Sequence, residues 1–206
     1  MQTQMQPSAS MMSALTALAE RSAEADAACV VGGSAGLLLR GVALGAPPRD
    51  LDVYADLDDA SRLHERLADY ATDAPVRSAT AIYESQLSHY LIDSTAVELV
   101  GCFVVQARGC RYETRVRDML LPYAERFAPG AGAPAISLVP LAHELLFNWL
   151  RGRDDRVAAV AAAMAAAPAR HYAALERLIA ANAITEEASR RLGAILRSAE
   201  DGCRDG

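Results

Sequence analysis

The sequence predicts a mixed α/β fold of the α+β kind: a mixed β-sheet with flanking helices, followed by a helical C-terminal part. Three observations carry this expectation. Apolar and polar residues alternate with period two in several runs between residues 28 and 117. After Pro140 the apolar residues recur instead at helical spacing. Between these regimes, the apolar run Ala28-Cys29-Val30-Val31 ends in Gly32-Gly33-Ser34 and passes directly into a helical pattern, which is a strand–turn–helix signature. With 206 residues, 52% of them apolar, the chain can bury a core without disulfide or metal staples. The expected division is an α/β domain over residues 11–138 and a helical region over 139–200.

Residues 1–10 are polar and are expected to fray. Leu15, Leu18 and Ala19 share one helical face, so a first helix is expected from Met11 to Ala25. Ala28–Val31 is a buried strand and Ala35–Arg40 a helix, ended by the breaker Gly45-Ala46-Pro47-Pro48. Leu51–Tyr54 is a second strand, and Asp58–Tyr70 a helix with Leu63, Leu67 and Tyr70 on one side. Ser88–Ile92 and Ala96–Val105 are strands joined through Asp93-Ser94-Thr95, a set suited to a tight turn. Tyr112–Val116 is an expected edge strand, Asp118–Leu121 the start of a short helix, and Phe127–Ala135 a Pro/Gly-rich loop. Helices follow over Leu141–Leu150, Asp154–Ala166, Ala169–Ala181 and Glu186–Ser198, punctuated by Pro168 and Asn182–Thr185.

Composition narrows the chemistry. The net charge of −6 disfavours general nucleic-acid binding, which usually shows a basic excess. Every basic side chain apart from histidine is Arg, so Lys Schiff-base chemistry and a Walker-type phosphate Lys are excluded. Cys29, Cys102, Cys110 and Cys203 form no C-x-x-C pair and read as scattered buried thiols in a reducing compartment. The N-terminus has no charged n-region followed by an apolar run, and the Ala-rich stretch Val157–Ala167 is too short to span a bilayer. A cytoplasmic protein without membrane association is the expectation.

The chemistry-bearing residues are three acids and a glycine turn. In Asp50-Leu51-Asp52 strand alternation sends both carboxylates to one face while Leu51 and Val53 enter the core. Two adjacent carboxylates repel unless a cation lies between them, and Mg²⁺ suits such a pair because it completes its octahedron with water and phosphate oxygens. Gly32-Gly33-Ser34 opens a helix, where backbone amides and the Ser34 hydroxyl can meet an anion. Glu98, in Val97-Glu98-Leu99-Val100, is an acid inside an apolar strand, and such a group is seldom buried without a partner. Were its strand beside that of Asp50 and Asp52, three carboxylates would converge. Taken singly, each element also has an ordinary structural explanation: a solvated edge, a strand-to-helix turn, an exposed strand face.

Together these residues resemble the nucleotidyltransferase superfamily that includes DNA polymerase β, and in particular its small bacterial members. The family pattern is a helix-start Gly-Gly/Ser, a D-x-D on the next strand and a third acid on a later strand. Here it reads VVGGSAGLLLRG, RDLDVY and AVELVG, over roughly residues 28–105. The segment Leu141–Arg156, LAHELLFNWLRGRDDR, is similar to a helix in those small proteins that leads to Lys, then G-R, then Lys-Asp. This chain departs from the pattern in having Asn148 or Trp149 where Lys is common and Asp155-Arg156 in place of Lys-Asp. The third acid is Glu where Asp is usual, and the 15 residues between Ser34 and Asp50 are long for the family.

The resemblance implies a mixed-sheet nucleotidyltransferase core. It also implies transfer of a nucleoside monophosphate, with AMP from ATP the leading case, to a hydroxyl of a small molecule or protein. Asp50 and Asp52 would hold Mg²⁺ against the triphosphate. Glu98 would bind a second metal or accept the proton of the attacking hydroxyl. Gly32, Gly33 and Ser34 would contact phosphates, with Arg49 and, more weakly, Arg40 as further candidates; surface solvation is the simpler expectation for Arg40. An alternative implied by the altered third acid and the altered GRDDR segment is a non-catalytic regulator of the same fold, such as the antitoxin of a toxin–antitoxin pair. A tRNA-end-adding polymerase is disfavoured by the acidic charge.

Other polar residues have simpler expectations. His143 packs or caps, and Phe147 and Trp149 belong to the core. Asp56, Asp58 and Asp59 form a solvated helix start, since acids suit a helix N-terminus. His89 flanks the strand of Glu98 and can approach the site, but a single His without a Cys or Ser partner is weak evidence of catalysis.

Overall fold

The computed structural model describes residues 5–204; of the polar segment 1–10, residues 1–4 lie outside the described residues. Helix α1 runs Ala9–Glu24, two residues earlier than expected, because Ser8 caps it: the Met11 N–H donates to Ser8 Oγ at 3.1 Å. Strand β1 (Cys29–Gly32) leads into the short helix α2 (Gly33–Leu39), then come β2 (Asp50–Ala55) and α3 (Leu57–Arg66). Strands β3 (Val76–Ala79), β4 (Tyr83–Ile92), β5 (Thr95–Ala107) and β6 (Cys110–Glu113) follow. A π-helical turn at Val116–Leu120 precedes β7 (Glu125–Phe127) and β8 (Ile136–Leu138). The chain then continues as α4 (Leu141–Leu150), α5 (Asp154–Ala165), α6 (Pro168–Ala180) and α7 (Glu186–Arg204).

The strands form one mixed sheet in the order β3-β4-β5-β2-β1-β8-β7, with β6 also pairing with β5. The sheet therefore reaches Leu138, beyond the 28–117 span that alternation marks. β3, β7 and β8 escape sequence reading because each is three or four residues long, too short for a period to show. The hairpin β4–β5 turns on Asp93 and Ser94, whose φ values of 46° and 63° define the twisted two-residue turn that favours such hairpins. Cys102, at φ 49°, sits in a β-bulge of β5 where the pairing with β4 slips. The bulge brings Phe103 back to the same sheet face as Val100.

Each face of the sheet buries its own apolar cluster. Leu51, Val53, Val97 and Leu99 pack with α1 and α3 on one side. Tyr54, Val100 and Phe103 pack with α4 to α7 on the other. All ten residues of α4 are buried, so this helix is central rather than amphipathic, and its polar residues must find partners within the fold. Cys29 and Cys110 are buried free thiols as expected, but Cys102 and Cys203 are exposed. Among the described residues no helix is long and apolar enough to cross a membrane.

Candidate functional site

Register decides which acids meet. β2 runs parallel to β5 with Asp52 opposite Glu98 and Asp50 opposite Ala96. On the other side of β2, Gly32 stands opposite Asp52. Across β5, His89 of β4 stands opposite Glu98. Directly opposed residues share a face, so Gly32, Asp52, Glu98 and His89 form one row across four strands. Glu98 thus lies on the same face as Asp50 and Asp52.

This face is the one covered by α4 to α7, and the cover ends at the row. Along β2 burial rises from Asp50 and Asp52, both half-buried, to buried Tyr54. Along β5 it rises from exposed Ala96 through half-buried Glu98 to buried Val100. The carboxylates are therefore partly desolvated and mutually repelling. Burial, then the charges of Asp50 and Glu98, push the Asp52 carboxyl up to about 6, with Arg151 opposing. Burial and Asp50 likewise raise Glu98.

Beside Asp50 and Asp52 opens a cavity of about 210 Å³ whose lining includes Ser34, Glu144, Asn148, Arg151, Arg153 and Arg156. The arginines reach it through the junction of α4 and α5. There Gly152, at φ 71°, ends α4, and the Arg153 N–H bonds back to the Asn148 carbonyl at 3.0 Å. The Arg156 guanidinium donates from Nη2 to Ser34 Oγ at 3.1 Å, while its Nη1 is buried without a hydrogen-bond partner among the described residues. Arg151 stacks over the Phe147 ring at 4.6 Å.

Glu144 is the member that sequence reading misses. Its side chain is buried on α4, and its Oε1 accepts the Gly33 N–H at 2.6 Å while Asn148 Nδ2 donates to Oε2 at 3.0 Å. Burial, opposed by those two bonds and reinforced by Asp52, pushes Glu144 up to about 7. The Gly33 amide, a candidate phosphate donor, is thus engaged by Glu144 instead. Gly32 does not line the cavity; a Cβ there would meet Tyr54 Cε2 at 2.8 Å and Glu144 Oε1 at 3.1 Å, so its role is close packing.

Arg49 is exposed and outside the cavity lining. Arg40 is not solvated as expected: its side chain is 4% exposed, lies 3.5 Å from Glu125 and donates to the Leu138 carbonyl at 3.1 Å. Nor is Asp59 part of a solvated helix start. It is buried, accepts from Arg117 at 2.7 Å and from the Ala28 amide at 3.1 Å, and pairs with Arg62. Asp56 accepts the Val116 and Arg117 amides at 2.8 and 3.0 Å, which leaves Asp58 as the exposed acid of the three. His143 is buried as expected, within 2.6 Å of the Tyr112 hydroxyl, and Phe147 and Trp149 are core residues.

No protein-family model and no curated protein matches the sequence. Solved structures do match. A protein of Thermotoga maritima described as a nucleotidyltransferase aligns over 69% of this chain and 85% of its own, with 22% identity and a TM-score of 0.56. The chain has the nucleotidyltransferase fold. Two further structures align at lower scores. ANT(2'')-Ia, solved with adenylyl-2''-tobramycin, has 11% identity over 81% of this chain and 97% of its own, with a TM-score of 0.47. An antigenic nucleotidyltransferase-like protein of Paracoccidioides brasiliensis has 14% identity over 93% and 94%, with a TM-score of 0.45. Scores this low add nothing on the fold.

The resemblance of the sequence motifs implies a bound Mg²⁺, and the donor set here fits that ion in one way. Asp50 and Asp52 offer hard carboxylate oxygens on one face, with Glu98 beside them. Among the described residues no three His, Cys, Asp or Glu side chains converge on a single point where an ion could sit. A cation here would therefore take one or two carboxylates and draw its other ligands from water and phosphate, the mode Mg²⁺ favours.

Proposed function

We propose that this chain is a Mg²⁺-dependent nucleotidyltransferase that moves a nucleoside monophosphate, foremost AMP from ATP, onto a hydroxyl of a small molecule or protein. The observation that carries the reading is the meeting of opposite charges in one cavity. Asp50 and Asp52 line it together with Ser34, Arg151, Arg153 and Arg156. A triphosphate with its metal needs both: carboxylates for the cation and cationic donors for the phosphate oxygens. Arg supplies the latter in a chain without Lys.

In this reading Asp50 and Asp52 hold Mg²⁺, and Ser34, Arg153 and Arg156 hold the terminal phosphates. Mg²⁺, when bound, neutralises the triphosphate and polarises the phosphoryl group under attack. Glu98 borders the acceptor side, where it can bind a second ion or accept a hydrogen bond from the attacking hydroxyl. The acceptor oxygen bonds to the α-phosphorus, the bridging bond to the β-phosphate breaks, and pyrophosphate leaves.

The test is calorimetric titration with Mg²⁺ and a non-hydrolysable ATP analogue, followed by transfer of label from ATP labelled at the α-phosphate to the acceptor, with pyrophosphate released. Mg²⁺-dependent binding that disappears in Asp52→Asn supports the reading. Binding of the analogue that is indifferent to both metal and Asp52 overturns it.

A further inference from the structure

The same row of residues ends in a histidine that the reading above leaves unused. His89 lies directly across β4–β5 from Glu98, on the face that carries Asp50 and Asp52. Directly opposed antiparallel residues have Cβ atoms about 4.5–5.5 Å apart. Its imidazole Nδ1 is 2.5 Å from Oδ2 of Asp73, on the segment between α3 and β3. An ionised carboxylate only accepts, so this contact places a proton on Nδ1; in the neutral ring Nε2 is then the nitrogen that carries the lone pair. No hydrogen bond among the described residues engages Nε2.

The contact could be no more than a clip for the loop, but the loop is already held without it. The His89 amide donates to Asp73 Oδ1 at 2.7 Å, and the Thr72 amide and hydroxyl donate to the His89 carbonyl at 2.9 and 3.1 Å. The ring contact adds orientation. Half-exposed, with exposed Leu91 and Ala96 beside it on the same face, the ring has open approach from solvent.

Resting on the nucleotidyltransferase reading, we propose that His89 is the proton acceptor for the attacking hydroxyl and that Asp73 is its positioning residue. The hydroxyl proton passes to Nε2 as the oxygen bonds to the α-phosphorus. The electron pair of the breaking bond leaves with pyrophosphate, and the imidazolium formed is stabilised by Asp73. Glu98 then orients the acceptor or neighbouring metal rather than taking the proton.

The experiment measures turnover of α-labelled ATP with Mg²⁺, using glycerol and water as hydroxyl acceptors. His89→Ala should lower kcat by roughly 10²-fold or more, while affinity for the non-hydrolysable analogue stays unchanged. Added imidazole should restore part of the loss, because the vacated site is open to solvent. His89→Asn, which keeps a donor toward Asp73, should lose turnover too, and Asp73→Asn should lose about 10-fold or more. In the metal-free protein, at a pH alkaline enough for the imidazole to be neutral, ¹⁵N shifts should show His89 protonated on Nδ1 and bare on Nε2. Wild-type turnover in His89→Ala, a loss that imidazole does not restore, or a proton on Nε2 each overturns the proposal and leaves the nucleotidyltransferase reading standing. A wild-type protein that releases no pyrophosphate overturns both.

Discussion

A Cβ built on Gly33 would stand 1.8 Å from Oδ2 of Asp52. The strand–helix turn and the D-x-D strand are therefore fitted to each other at the level of single atoms. Gly33 also holds φ at 59°, a conformation that costs an L-residue roughly 1–2 kcal/mol. Gly33→Ala should lower stability by at least that amount and displace the Asp52 carboxylate. The expected outcome is a reduced melting temperature together with loss of Mg²⁺-dependent nucleotide binding, read by thermal denaturation and calorimetry.

Asp50→Asn removes one of the charges that raise Asp52. The folded protein should become slightly more stable without metal, since a repulsion is relieved while the shape is kept. Nucleotide binding in the presence of Mg²⁺ should weaken. Denaturant titration paired with calorimetry checks both halves, and unchanged affinity would mean that the pair is only a solvated edge.

Glu144 gives the metal-free protein a pH dependence. Its pKa is raised to about 7 in the fold from an ordinary value of 4.5, so the folded state holds the proton more tightly than the unfolded chain. The stabilisation is complete below about pH 4.5 and is lost as pH rises through about 7. Glu144→Gln keeps an acceptor for the Gly33 amide and removes the titration. Melting curves from pH 5 to 8 should show a fall in the wild type that is shallower in the variant, by a difference of order a few kcal/mol.

Arg156 ties α5 to the glycine turn through Ser34 and keeps a second guanidinium nitrogen without a hydrogen-bond partner among the described residues. Hydrogen bonds to charged groups are worth about 1.5–3 kcal/mol, so Arg156→Ala should weaken binding of the Mg²⁺–ATP analogue by roughly 10- to 100-fold. Arg49→Ala, at an exposed position outside the cavity lining, should leave it unchanged. Calorimetric comparison of the two variants separates a phosphate role for Arg156 from a general effect of positive charge.

The sequence by itself determined the local parts. Period-two alternation marked β2, β4 and β5 and put Asp50 and Asp52 on one side of their strand. The change of period after Pro140 marked α4 to α7. These features depend on neighbours a few residues apart, so they can be read along the chain. Only the tertiary structure decided that β2 and β5 run side by side with Asp52 opposite Glu98, because strand pairing is a choice among long-range partners that alternation does not encode. It also decided the fate of the isolated acids. Asp59 looks like an ordinary helix-start acid until Arg117, 58 residues later, reaches it. Glu144 lies on a helix buried on every side, where no apolar stripe distinguishes an inward carboxylate from an outward one. Its partner, the Gly33 amide, is 111 residues away, and a buried carboxylate reveals its purpose only when the group it must satisfy is in place.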